Sequence, residues 1–291
     1  MHSWTINELL AWTTDYFNSK KIREARMEAE VLLARVLGKD RVYLYTHYDA
    51  PVNQHERAMF REYVKRRAQN EPLAYITGTR EFMSLEFKVN PDVLIPRPET
   101  ELIVEEVIEL FAGKTCSICD IGTGSGAIAI SLAHYLPQAK VFASDISAMA
   151  LATARDNAAR LQAKVEFREG DLLSPFLDII HEFDLIVANL PYISADEYCC
   201  LDPGVKDYEP ALALMAPGDG LDIYRRLVGQ AHQLAQEGTY IILEIGYNQG
   251  QSALQMMSEW ENVKLINDLA GRTRLIQARK ERPSENKVLE N

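Results

Sequence analysis

The chain has 291 residues, a formal net charge of −11 and an ordinary mix of apolar and charged residues. That length allows one large domain, or a large one with a small companion. The negative balance argues against broad, backbone-driven nucleic-acid binding, and the longest apolar runs, "FDLIVA" and "YIILEIG", fall far short of a membrane span. The opening "MHSWTINELLAW" has no basic stretch followed by an apolar core, so it does not read as a signal peptide. A cytoplasmic protein with no membrane and no direct nucleic-acid partner is expected.

The first seventy or so residues are helical in pattern. "TINELLAWTTDYF" places Ile6, Leu9, Leu10 and Thr13 at helical spacing behind a Thr cap, "REARMEAEVLLARVLGKD" ends at Gly38, and a third helix covers "NQHERAMFREYVKRRAQ". Three short amphipathic helices make a small bundle, which suits recognition or docking better than catalysis. Residues 1–80 carry 13 Lys and Arg against 10 Asp and Glu, so the excess acid lies in the remainder. The bundle is assigned to residues 1–75 and a hairpin or linker to 76–97. There "REFMSLEFKVNP" alternates Met83, Leu85, Phe87 and Val89 on one face.

Pro98 suits the first turn of a helix, with Glu99 and Glu101 favourable at its positive end. From Thr115 onward strands alternate with helices: "CSICDI", "KVFASD", "KVEFRE", "FDLIVAN", "TYIILEI" and "TRLIQAR". That rhythm predicts an α/β fold with an open, mainly parallel sheet that binds ligands at the carboxyl ends of its strands. The catalytic domain is assigned to 98–280, and the polar tail 281–291 is expected to be disordered. Cys116 and Cys119 fall on opposite faces of one strand, which argues against a metal knuckle, so no metal is expected.

"DIGTGSGAIAI" puts Gly122, Gly124 and Gly126, with Thr123 and Ser125 between them, after a strand and at the mouth of a helix. Glycines there allow a sharp turn and close approach of a ligand. The spacing is G-x-G-x-G, so the dinucleotide fingerprint is not met. "AGKTCS" is no phosphate loop either, because Ile108 stands where that motif needs glycine. Asp145 ends the next strand, 19 residues after Gly126, where a carboxylate accepts ribose hydroxyls. Asp171 in "EGDLL" is placed to accept an exocyclic amine, and Asp120 to brace the loop through its backbone amides. Three acids at successive strand ends fit a nucleoside carrying a cationic group better than a phosphate chain.

This layout resembles the class I S-adenosylmethionine methyltransferases (Rossmann-like), and "NLPY", Asn189 to Tyr192, resembles their N/D-P-P-Y motif. That motif serves methylation of a nitrogen conjugated to a π-system. An amide nitrogen is a poor nucleophile and is not usefully deprotonated near neutral pH. The resemblance implies that two fixed acceptors, the Asn189 side-chain oxygen and the Leu190 carbonyl, hold its N–H groups while Pro191 stiffens the turn and Tyr192 offers a stacking face. "EPLAYITGTREFMSLEFKVNPDVLIPRPETE", "YEPALALMAPGDGLDIYRRL" and "LEIGYNQG" are similar, more narrowly, to the HemK/PrmC family, the N5-glutamine methyltransferases of peptide chain release factors.

The family resemblance implies a seven-stranded sheet ending in an antiparallel hairpin and S-adenosyl-L-methionine as donor. The donor would be bound by Asp120, Gly122 to Gly126, Asp145, Asp171, Leu172 and Asn189. Substrate would be bound by Asn189 to Tyr192, with Arg97 and Glu99 helping to close the site. Leu190 departs from the family's usual Pro. "N-L-P-Y" is also the form found in rRNA adenine dimethyltransferases, but those carry the glycine loop near the start and a helical domain after the fold. Two alternatives stay open: a glutamine methyltransferase acting on a ribosomal protein, and an RNA or DNA adenine N6-methyltransferase.

Overall fold

The computed structural model describes residues 4–280, and the tail expected to be disordered lies outside them. The described residues divide into two compact units.

The first unit holds the residues up to Thr79 together with Asp202–Tyr208. Its helices are Ile6–Ser19, Ala25–Leu37, Arg41–Thr46, Gln54–Ala68 and Leu73–Thr77, with Pro203–Lys206 from the later segment. Capping boxes start two of them, Thr5 with Glu8 and Asn53 with Glu56. Gly38 ends the second helix in the left-handed conformation, which a residue without Cβ adopts freely. Ile6, Leu10, Phe17, Leu32, Leu33, Phe60 and Val64 form the core. Two of the short helices, Arg41–Thr46 and Leu73–Thr77, were not legible in the pattern, because an Asp40 cap and a Pro72 start define helices too brief for periodicity.

The second unit opens with the hairpin β1 (Thr79–Phe82) and β2 (Leu85–Lys88), most of which falls within it. Met83 does not share a strand face with Phe87 as expected. Met83 and Ser84 both have positive φ, 49° and 57°, and form the two-residue turn; Phe82 and Phe87 supply the buried side. The buried Asn157 stitches this hairpin to the glycine loop. It accepts from the Lys88 N–H at 2.8 Å and donates to the carbonyls of Lys88 and Ser125 at 3.0 and 2.9 Å.

A seven-stranded sheet follows: β3 (Ser117–Ile121), β4 (Lys140–Asp145), β5 (Val165–Glu169), β6 (Leu185–Ala188), β7 (Tyr240–Glu244), β8 (Glu261–Asn267) and β9 (Thr273–Arg279). The order is β5-β4-β3-β6-β7-β9-β8, with β9 antiparallel to β7 and β8 and all other pairs parallel. β8 was missing from the strands read off the pattern, although the family resemblance implied the hairpin it completes.

All four residues of β6 are fully buried, as a central parallel strand requires. Their alternation splits the core: Ile186 and Ala188 join one apolar cluster, Leu185 and Val187 the other. Cys119 and Cys116 divide between the same two clusters. The topological switch lies between β3 and β6, where Ile121 pairs with both Ser144 and Ala188. Gly122, Asp145 and Asn189 therefore emerge at one edge of adjacent strands. No helix among the described residues is long and apolar enough to cross a membrane.

Candidate active site

The glycine loop runs from β3 into the helix Ala127–Tyr135. The amides of Gly122 and Thr123 both donate to the Ser144 carbonyl, at 2.8 and 3.0 Å, which laces the loop to β4. Gly122 has φ 75°, and a Cβ there would stand 2.6 Å from Leu190 Cδ2. The loop thus meets the asparagine turn in direct contact. Gly124, at φ 57°, has open space where a Cβ would lie.

Asp120 braces the loop, but through a side chain as well as the main chain. Its Oδ2 accepts from the Thr123 hydroxyl at 2.7 Å and its carboxylate from the Ala129 amide, while Oδ1 is buried without a partner. Burial pushes its pKa up to about 7 against those two donors.

Asp145 ends β4 and accepts from Gly124 N–H at 2.9 Å and from Ser147 N–H at 2.9 Å, one on each oxygen. The carboxylate retains acceptor capacity beyond these bonds. Burial raises its pKa and the backbone amides of Ser147, Gly124 and Ile146 oppose the rise. Ser147 caps the helix Ala148–Arg160, so the helix does not need Asp145 for that purpose.

Asp171 lies after β5, and its carboxylate is paired with Arg226, a partner that spacing could not reveal. Leu172 beside it is buried with φ 51°, and its carbonyl accepts from the Ser144 hydroxyl at 3.1 Å.

The turn after β6 is held from three other segments. Asn189 Nδ2 donates to Thr100 Oγ1 at 3.0 Å. Leu190 N–H donates to the Tyr224 hydroxyl at 2.9 Å. That hydroxyl lies 3.0 Å from the Leu190 carbonyl and 2.5 Å from the Glu244 carbonyl, and its single proton serves one of them at a time. The Leu190 carbonyl therefore keeps at least one lone pair.

Pro191 and Tyr192 are half-buried. The Tyr192 hydroxyl donates to Glu244 Oε1 at 3.3 Å, and its carbonyl accepts from Gln249 Nε2 at 3.0 Å. Gln249 also reaches the Asp219 carbonyl at 3.2 Å and accepts from Gly246 N–H at 2.8 Å. Gly220 has φ 88°, and a Cβ there would stand 2.2 Å from the Tyr192 carbonyl oxygen. Only glycine fits.

Glu244 is buried at the end of β7, and burial lifts its pKa to about 7 although Thr100, Arg274 and Tyr192 all favour its charge. The tyrosine pays for that neighbour: desolvation first, then the Glu244 charge, push its own pKa upward. Arg97 makes a 2.5 Å ion pair with the buried Glu209, which also accepts from Ile95 N–H at 3.1 Å. Glu99 lies 3.9 Å from Arg274 at the surface.

The predicted residues 189–192 thus gather with the glycine loop at one sheet edge, while Arg97 and Glu99 are engaged by Glu209 and Arg274. Sequence reasoning missed Thr100, Tyr224, Glu244 and Gln249 as individuals. One of them carried a usable signal: Glu244 is a lone acid inside the apolar run "YIILEIG".

A switch-point glycine loop on a mainly parallel seven-stranded sheet, facing an asparagine turn, defines a methyltransferase of the Rossmann-like class. Residues 8–78 match the family model described as the PrmC N-terminal domain, and residues 112–285 that of a methyltransferase domain. The release factor glutamine methyltransferase of Geobacter sulfurreducens is 46% identical over 255 residues, covering 88% of this chain and 89% of its own. That of Koribacter versatilis is 43% identical, covering 88% and 91%. Among solved structures, the hMettl16 catalytic domain, in complex with an RNA hairpin of the MAT2A 3'UTR, superposes with a TM-score of 0.58 at 16% identity, covering 84% of this chain and 94% of that one. That last likeness concerns the fold alone. The chain belongs to the release factor glutamine methyltransferase family.

Proposed function

We propose that this chain transfers a methyl group from S-adenosyl-L-methionine to the side-chain amide N5 of the glutamine in the Gly-Gly-Gln motif of peptide chain release factors. The names of its relatives support the substrate. The observation that carries the chemistry is the Asn189–Thr100 hydrogen bond: the amide nitrogen of Asn189 is occupied, so its oxygen is the end left to accept.

The residues present fit the donor. Open space at Gly124 and the acceptor capacity left on Asp145 are what a nucleoside with ribose hydroxyls requires. Asp120, Gly122, Thr123, Gly124, Ser125, Gly126, Asp145, Leu172 and Asn189 would hold it, with the free oxygen of Asp171 beside them. When bound, it supplies a methyl group on a cationic sulfur, already activated for transfer.

The chain's own task is positioning. The Asn189 oxygen and the Leu190 carbonyl each accept one N–H of the glutamine amide, Pro191 keeps the turn stiff, and Tyr192 stacks on the planar group. Fixing that geometry contributes ~7–11 kcal/mol where a near-attack arrangement is held. No base is needed, since the nitrogen sheds its proton to water once it has become acidic.

Residues 1–75 serve as the docking domain and 98–280 as the catalytic domain, joined through 76–97, and the reaction takes place in the cytoplasm. The net charge of −11 supports a protein acceptor over a nucleic acid. Labelled donor offered to a release factor, a ribosomal protein and RNA in parallel tests this reading. Label is expected in the release-factor glutamine, and label in RNA alone overturns the assignment. Asn189→Ala is expected to lower transfer by ~10²–10³-fold, the usual loss when one fixed group at a reacting centre is removed, and to weaken donor binding far less, since the glycine loop and Asp145 remain.

A further inference from the structure

We propose that Thr100 and Glu244 are positioning residues that act together to lock the Asn189 side chain with its oxygen facing the substrate. The inference rests on the reading above, in which that oxygen accepts an amide N–H.

The need arises from the asparagine itself. Its oxygen and nitrogen ends have nearly the same shape, so the side chain can rotate by half a turn at little steric cost. Rotated, it would present N–H donors to the N–H donors of a glutamine, and the turn would repel its substrate. Something beneath the turn must distinguish the two ends.

Thr100 alone does not. A hydroxyl can accept from the Asn189 nitrogen, as it does at 3.0 Å, or donate to the Asn189 oxygen and stabilise the wrong orientation. The choice is decided by where the Thr100 proton goes. The Glu244 carboxylate, facing this hydroxyl, is acceptor-only when ionised, and the hydroxyl favours its charged form. Glu244 Oε2 is buried with no hydrogen-bond partner, so turning the Thr100 proton toward it would satisfy an acceptor that is otherwise left bare. With its proton drawn to Glu244, Thr100 offers Asn189 only lone pairs. The same carboxylate takes the Tyr192 hydroxyl on Oε1, anchoring both ends of the turn to one buried charge.

The groups around Glu244 set when it is charged. Arg274 from β9 favours the ion, Glu99 from the turn Pro98–Thr100 opposes it, and Thr100 and Tyr192 donate toward it. Tyr224 from the helix Asp222–Leu234 bonds its main-chain carbonyl. Arg97 acts on Tyr192 in turn. Burial outweighs these and leaves the carboxyl at about 7. Protonated, Glu244 becomes a donor, and the Thr100 proton is released to the oxygen of Asn189. Turnover should therefore fall on the acid side as Glu244 gains its proton, to about a tenth of the alkaline plateau one pH unit below its pKa.

The test compares Thr100→Ser, Thr100→Val and Glu244→Gln in the full chain, each checked for its thermal transition. Turnover on a release factor is measured from pH 5.5 to 9, with the affinity for S-adenosylhomocysteine. Thr100→Ser keeps the hydroxyl and should retain turnover within about threefold, whereas Thr100→Val should lose ~10–100-fold, with product affinity within about twofold of the parent in both. Glu244→Gln should be slow at every pH and lack the acid limb. Parental turnover in Thr100→Val, an equal loss in Thr100→Ser, or an acid limb surviving in Glu244→Gln would each overturn the proposal. An inactive Asn189→Ala beside an active Thr100→Val sinks this inference alone, while an active Asn189→Ala sinks the catalytic reading beneath it.

Discussion

The two halves of the site are built by opposite means. On the donor side, the glycine loop and Asp145 are tied together mostly by main-chain groups within adjacent strands. On the acceptor side, residues 189–192 are held by side chains from Thr100, Tyr224, Glu244 and Gln249, which are 89, 34, 52 and 57 residues away from their partners. A ligand lying along backbone needs open glycines and amides, which a short continuous motif supplies. Discriminating one amide orientation from another needs directional side-chain groups shielded from water, and burial brings them from distant segments.

That contrast can be broken at its tightest point first. Gly220→Ala forces a Cβ into the Tyr192 carbonyl at a positive φ. It is expected to destabilise the fold by ~1–3 kcal/mol and to lower turnover more than donor affinity, as denaturant titration and product binding would register. Tyr224→Phe comes next. It leaves the buried Leu190 N–H without an acceptor, at ~1–3 kcal/mol, and should slow transfer while S-adenosylhomocysteine binding holds.

The pH dependence of stability sharpens the comparison further, since each half contains one buried carboxyl. Asp120 and Glu244 both have folded pKa values of about 7, above their ordinary 3.8 and 4.5. Raised values mean that folding favours the protonated forms. Their contribution is complete below about pH 4 and is lost as pH rises through about 7. Chemical denaturation across pH 5–8 should show that decline, and Glu244→Gln should flatten it by its own share. Asp120→Asn should do the same from the donor side. The smallest effect is expected at the rim: Arg226→Ala removes a half-exposed partner of Asp171, a pair contributing at most ~1 kcal/mol, and should leave the thermal transition nearly unmoved.

Much of the fold was legible because it depends on local pattern. Within "FDLIVAN" the run Leu185–Ala188 is apolar throughout, so it had to be a central strand, and the three glycines between a strand and a helix had to be a turn open to a ligand. The spacing to Asp145 and the Asn-Leu-Pro-Tyr turn are likewise short-range facts. Met83 was misplaced because a turn with two positive φ values carries no glycine to announce it. Arg97 and Glu99 were read as site groups from their motif, and the structure gives them the partners Glu209 and Arg274.

By itself the sequence determined the alternating architecture, the strand edge at which a ligand would lie, and the turn that faces it, since each follows from periodicity or from a few adjacent residues. Tertiary structure alone decided which groups stand behind that turn. Thr100 and Tyr224 are unremarked in their own segments, and even Glu244, a lone acid in an apolar run, gains its partners only where the chain closes on itself, because a hydrogen bond depends on position in space and water exclusion, neither of which is written in neighbouring residues.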